Sequence, residues 1–221
     1  MLPFTTEQFL DVFGRYNEAI WPLQVVTYAL GLVAVGLALR PAGPSDRTIS
    51  LILAAFWLWT GLVYHLVYFR EINGAAVLFG ALFVVQGALW LLVGVVCPRL
   101  AFRAHGDLGG LVGGLFIAYA LVGYPLLGLA LGQSFPRMPV FGVTPCPVTI
   151  FTFGLLLWTE RPVPRRLLVI PLLWSLLGVS AAISLGIGED LGLVVAGLVG
   201  TGLLLWRDHQ VATPRLHTAG A

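Results

Sequence analysis

The chain contains no lysine: all 12 of its basic residues are arginine. Alongside abundant Gly, Ala, Leu, Val and Pro, this is the imprint of GC-rich bacterial coding rather than a device of function. Charge of either sign is scarce, at 10% of residues with a formal net charge of +2, and no basic run is present. That excludes an electrostatic nucleic-acid surface. Polar surface is short as well, with 58% hydrophobic residues and a mean hydropathy of +0.94, well outside the soluble range. Residues 1–17 lack the uninterrupted apolar run of a secretory signal, because Glu7, Asp11 and Arg15 break it, so no cleavage is expected.

What is present is long apolar sequence. A spanning helix needs about 20 largely apolar residues, because hydrocarbon offers the backbone no partners. Seven stretches qualify: residues 20–39, 48–69, 74–96, 108–131, 140–159, 167–187 and 191–206. The expected fold is therefore all-α, a polytopic membrane helix bundle of about seven spans over residues 20–206. A re-entrant hairpin is the alternative for the last two. Residues 1–19 are expected to form an interfacial amphipathic helix: Thr5 or Thr6 caps it, and Phe9, Phe13, Tyr16 and Ile20 make one apolar stripe beside an acidic face. Residues 207–221 are expected to be a disordered cytoplasmic tail.

Arginine sets the orientation. Arg40, Arg47, Arg99, Arg103, Arg161, Arg165, Arg166, Arg207 and Arg215 fall on one side, and only Arg15, Arg70 and Arg137 on the other. Basic residues near span ends are retained in the cytoplasm. The reading is a bacterial inner-membrane protein with its N-terminus outside and its C-terminus inside. In this topology Cys97 and Cys146 lie at opposite faces, so they are two separate thiols and Cys97 is a packing residue.

The spans carry an internal echo. Trp21-Pro22, Gln24, Thr27-Tyr28 and Arg40-Pro41 are matched by Cys146-Pro147, Thr149, Thr152-Phe153 and Arg161-Pro162, and Trp57 with Gly61 by Trp174 with Gly178. A 3+1+3 parallel repeat follows as an expectation.

Unusual side chains gather on the outer face, at Tyr16-Asn17-Glu18, at residues 64–73 and in the proline-rich segment 133–147. Backbone entering a membrane helix through prolines must find its partners in protein or a cavity, which makes this segment the leading site candidate. The stretches Tyr64-His65-Leu66-Val67-Tyr68-Phe69-Arg70-Glu71-Ile72-Asn73 and Gly142-Val143-Thr144-Pro145-Cys146-Pro147, with Thr149-Ile150-Phe151-Thr152-Phe153-Gly154, Tyr16-Asn17 and Ile20-Trp21-Pro22, resemble an uncharacterised family of bacterial integral membrane proteins. The resemblance covers nearly the whole chain and implies membership, with no activity and no catalytic residues to carry over.

Two function classes follow from the residues. The first is a passive or metal-related small-solute carrier. Its outer mouth would use Tyr64, His65, Glu18 and Asn73, and its conduit Gln24, Gln86, Thr149 and Thr152. His65, Cys146 and Met138 would suit copper, or imidazole with thiolate zinc. The second is a non-transporting sensor or assembly partner that binds a protein or lipid, with the bilayer and a homo-oligomer among its contacts. An enzyme with Cys146 as nucleophile and His65 as base ranks third. The Cys-Pro pair resembles the element inside metal-pumping ATPases, but no loop is long enough for their cytoplasmic domains. Span centres free of Asp, Glu, Arg and His argue against ion-coupled transport. Gln86 is read first as a hydrogen bond to a neighbouring helix, and Glu189 with Asp190 as a solvated outer turn.

Overall fold

The first helix, α1 (Thr6–Ala19), begins where a capping residue precedes the apolar stripe. The computed structural model describes residues 3–212, and in it Thr5 accepts from the Gln8 amide while the Gln8 side chain accepts from the Thr5 amide. Val12, Phe13 and Tyr16 are buried and Glu7 and Asp11 exposed, as the stripe requires. The chain then turns by 87° into α2 (Leu23–Leu39).

Long rods follow. Ser45–Glu71 starts as α3 (Ser45–Trp59) and widens into π turns over Thr60–Tyr68, which leaves the adjacent Tyr64 and His65 both buried. Ala76–Val96 is α4 (Ala76–Trp90) with a similar widened end. Leu108–Ala130 joins α5 (Leu108–Ala118) to α6 (Tyr124–Ala130), and α8 (Arg166–Leu185) and Gly188–Gln210 complete the set. The last of these contains most of α9 (Leu191–Ala212). Among the described residues, then, five helices are long and apolar enough to cross a membrane, or up to six if α1 and α2 count together. Both α8 and the rod of α9 meet that length, so neither needs a hairpin. The outward faces of the rods expose large apolar side chains such as Leu78, Leu111, Leu115, Leu126 and Leu198. Apolar rows of this kind suit a lipid surround and not water.

Residues 140–159, expected as a span, behave differently. Only α7 (Pro145–Leu157, 13 residues) is helical there. At ~1.5 Å per residue it covers ~20 Å of a ~30 Å hydrocarbon layer. It packs against α3, α5, α8 and α9, and all of its residues but Cys146 are buried. Hydropathy marked it as avoiding water, and here protein rather than lipid provides the shelter.

The two glycines paired in the internal echo each meet a neighbouring helix closely, whereas Trp57 is buried and donates to Thr152 and Trp174 is half-buried. A side chain at Gly61 would strike Gly80 and Phe83 of α4, and one at Gly178 would strike Leu193 of α9. Each glycine admits the next helix. At the opposite end, Asp46 takes the Phe102 amide and Arg103, and Arg207 donates to the Thr159 carbonyl. Arg207 and Asp208 therefore belong to α9, not to a tail, and the expected disorder of residues 213–221 lies outside the described residues. Cys97, expected to pack, is exposed.

Candidate functional site

The end of the bundle that carries α1 has buried backbone in need of donors. Pro145 and Pro147, in the first turn of α7, carry no amide hydrogen, and Val143 precedes the helix, so its buried carbonyl has no intrahelical donor. The Tyr16 hydroxyl donates to it at 2.8 Å and in turn accepts from Trp59 Nε1 at 2.8 Å. Thr27 donates to the Phe141 carbonyl, and Asn17 Nδ2 to the Met138 and Pro136 carbonyls. Residues 138–144, all buried except the half-buried Val140, thus run non-helical between α1, α2 and α7, supplied with donors by polar side chains of α1 and α2. Gly142 has φ +80, and a side chain there would collide with Thr27.

Outside this core, Arg137 pairs with Glu7 at 2.7 Å and Asp11 at 2.8 Å, and Arg15 with Glu71 at 2.7 Å. These exposed pairs hold α1 across the bundle end. Beneath it lies a cavity of about 120 Å³. Phe4, Phe9 and Phe13 form its roof, Tyr64 and Phe69 one wall, and Phe79, Trp174 and Leu177 another. Leu177 is also 45% exposed on the outer girdle of the bundle. The lining is almost wholly apolar and aromatic.

The chemistry sits at Cys146, Asp190 and Tyr124, all of which reach the cavity. The Tyr124 hydroxyl donates to Asp190 Oδ1 at 2.6 Å, and Cys146 lines the cavity together with this pair. Glu189 and Asp190 correct the expectation of a solvated turn: they are 0% and 3% exposed. The 3-10 turn Gly188–Asp190 leads straight into α9 and directs both carboxylates inward, toward the donors of Tyr124 and Gln133. Nothing in the local sequence reveals those donors, which lie 40 to 70 positions away.

The sequence candidates divide. Tyr64, Asn73 and Cys146 line the cavity. His65 lies behind its wall, where its ring meets Tyr64, Phe69, Phe79, Phe83 and Trp174 and neither nitrogen has a partner. Met138 is buried beside Gly128 instead, and Glu18 is exposed. Among the described residues no group of three His, Cys, Asp or Glu is placed to hold a metal. The conduit candidates are engaged within the fold. Gln24 donates to the Asn17 carbonyl, Gln86 to the Leu167 carbonyl, and Thr149 and Thr152 to carbonyls of their own helix. Thr152 also accepts from Trp57 Nε1 at 3.0 Å.

Compared with curated proteins and with solved structures, the chain has no match. Residues 6–215 match the model of DUF6064, a family of unknown function. That range takes in the α1–α2 elbow, the buried segment and the cavity alike, and the chain belongs to this family.

Proposed function

We propose that this chain is a multi-pass protein of a bacterial inner membrane that binds a small, neutral, lipophilic molecule in the cavity under α1 and acts as a binding or sensing protein. The observation that carries the reading is an aromatic cavity of about 120 Å³ with one buried carboxylate in its lining. An apolar cavity of roughly 150 Å³ accepts benzene, so a ring-sized molecule, or the ring-sized end of a larger lipid, is the matching occupant. Asp190 favours a hydroxyl that donates to it and disfavours an anion. Leu177, lining the cavity and half-exposed on the girdle, supports entry from the surrounding acyl chains.

The bilayer is the partner that the exposed leucines and valines fit. The N-terminus is outside and the C-terminus cytoplasmic. Of the three outer arginines, Arg15 and Arg137 are neutralised by acidic partners, which deepens the asymmetry of free positive charge. A conduit for solutes has less support, since Gln24, Gln86, Thr149 and Thr152 make hydrogen bonds within the fold.

Thermal unfolding of the detergent-purified protein with benzene, phenol or benzoate tests the reading. Benzene and phenol are expected to raise Tm, phenol more, and benzoate not at all. Cys146→Phe and, from the opposite wall, Leu177→Phe should abolish both shifts, while Asp190→Asn should reduce phenol to the level of benzene. No shift in wild type, or shifts that persist in both filled variants, would overturn it.

A further inference from the structure

We propose that a small alkali cation is held between Glu189 and Gln133, beside Gly128, at a site separate from the lipophile cavity. Glu189 is 0% exposed. Its Oε1 accepts from Gln133 Nε2 at 2.6 Å, but its Oε2 has no donor, and neither has Gln133 Oε1. Two buried acceptors in one place, one of them a carboxylate, carry a heavy desolvation cost unless something positive or proton-donating meets them. Asp190, the next residue, is also buried and adds a second carboxylate.

No basic side chain answers this charge. Among the described residues every arginine in an ion pair faces Glu7, Asp11, Asp46, Glu71 or Asp208, and His105 faces Asp107. Arg137, four residues from Gln133, is spent on α1.

Gly128 supplies the room. A Cβ built there would stand 3.5 Å from Glu189 Oε1, 3.6 Å from Gln133 Oε1 and 3.7 Å from Met138 Cε, all ordinary contact distances. The missing side chain therefore leaves space beside the unpaired Gln133 oxygen and the Glu189 carboxylate. The surroundings are fastened: the Gln133 amide donates to the Gly128 carbonyl at 2.9 Å, and the Tyr119 hydroxyl to the Glu189 carbonyl at 2.7 Å. A carboxylate with an amide oxygen is a hard donor set, suited to a cation such as sodium. So few oxygens do not suit calcium, which takes about six to eight.

The test is thermal unfolding of the purified full chain, with no lipophile added, in sodium chloride against choline chloride at equal ionic strength. Sodium is expected to raise Tm saturably and choline not. Glu189→Gln removes the charge, and Gly128→Ala fills the space with one methyl group while leaving both liganding side chains in place; both should lose the sodium response. Equal Tm in the two salts, or a response retained in both variants, overturns the proposal. A salt-independent wild type no more stable than Glu189→Gln also overturns it, and identifies a proton on Glu189 in place of the cation.

Discussion

Asp107 shows how one side chain can tie helix formation to pH. It stands immediately before α5, and its Oδ1 accepts from the Gly110 amide at 2.8 Å and contacts His105 Nδ1 at 2.6 Å. The Gly110 amide above all, with His105 assisting, holds this carboxyl below the usual aspartate range. Because the folded value lies below the unfolded one, the stabilisation is complete above the unfolded value of about 3.9 and is lost as pH falls through the lower folded value. Asp107→Ala should cost about 1 kcal/mol at neutral pH, and the cost should vanish in that acid window. Asp107→Asn should keep the cap and show no such acid limb. Tm measured against pH for the three proteins reads this directly. At this scale the sequence was legible where the partner is local, as with Thr5 and Gln8. It was not legible for Glu189 and Asp190, whose partners are Gln133, in the loop after α6, and Tyr124, on α6 itself.

Helices with internal prolines need help from neighbours, and α8 is the plainest case. Pro171 cannot donate to the Leu167 carbonyl four residues earlier, and Gln86 of α4 supplies that donor at 3.0 Å. The polar residue in the middle of a span is thus explained by a proline on a different one. Gln86→Leu leaves a buried carbonyl unpaired and should cost about 1–3 kcal/mol. In a Pro171→Ala background the new amide can reach Leu167 itself, so the same substitution should cost much less. A double-mutant cycle in detergent, read as unfolding free energy, should give a coupling of at least about 1 kcal/mol. Additive costs would mean that Gln86 serves α8 in some other way. The sequence reading of Gln86 as a link between helices agrees with this geometry, whereas α7 was read as a span because hydropathy measures avoidance of water without saying whether lipid or protein takes its place. The prolines before it were the available signal: a segment that needs side-chain donors along its backbone has to be surrounded by protein.

For the whole molecule the two ends of the bundle differ in how their charges are used. The end carrying α1 sets Arg15 and Arg137 against Glu71, Glu7 and Asp11. The other end pairs Arg103 with Asp46 and Arg207 with Asp208, and Arg40, Arg47, Arg99, Arg161, Arg165 and Arg166 project from its loops and helix starts with no ion pair among the described residues. Retention of basic residues in the cytoplasm is the ground for the orientation proposed above, with α1 outside. Under that proposal the cavity and both buried carboxylates lie near the outer leaflet, so the orientation governs from which side a lipophile or cation arrives. With Cys97→Ala and Cys146→Ala as background, single cysteines at Thr5, on the α1 end, and at Arg165, on the arginine-rich end, separate the alternatives. In intact cells a membrane-impermeant thiol reagent should label Thr5→Cys and leave Arg165→Cys untouched until the membrane is permeabilised. Labelling of Arg165→Cys alone would invert the molecule and place the cavity at the cytoplasmic leaflet, leaving its internal chemistry unchanged.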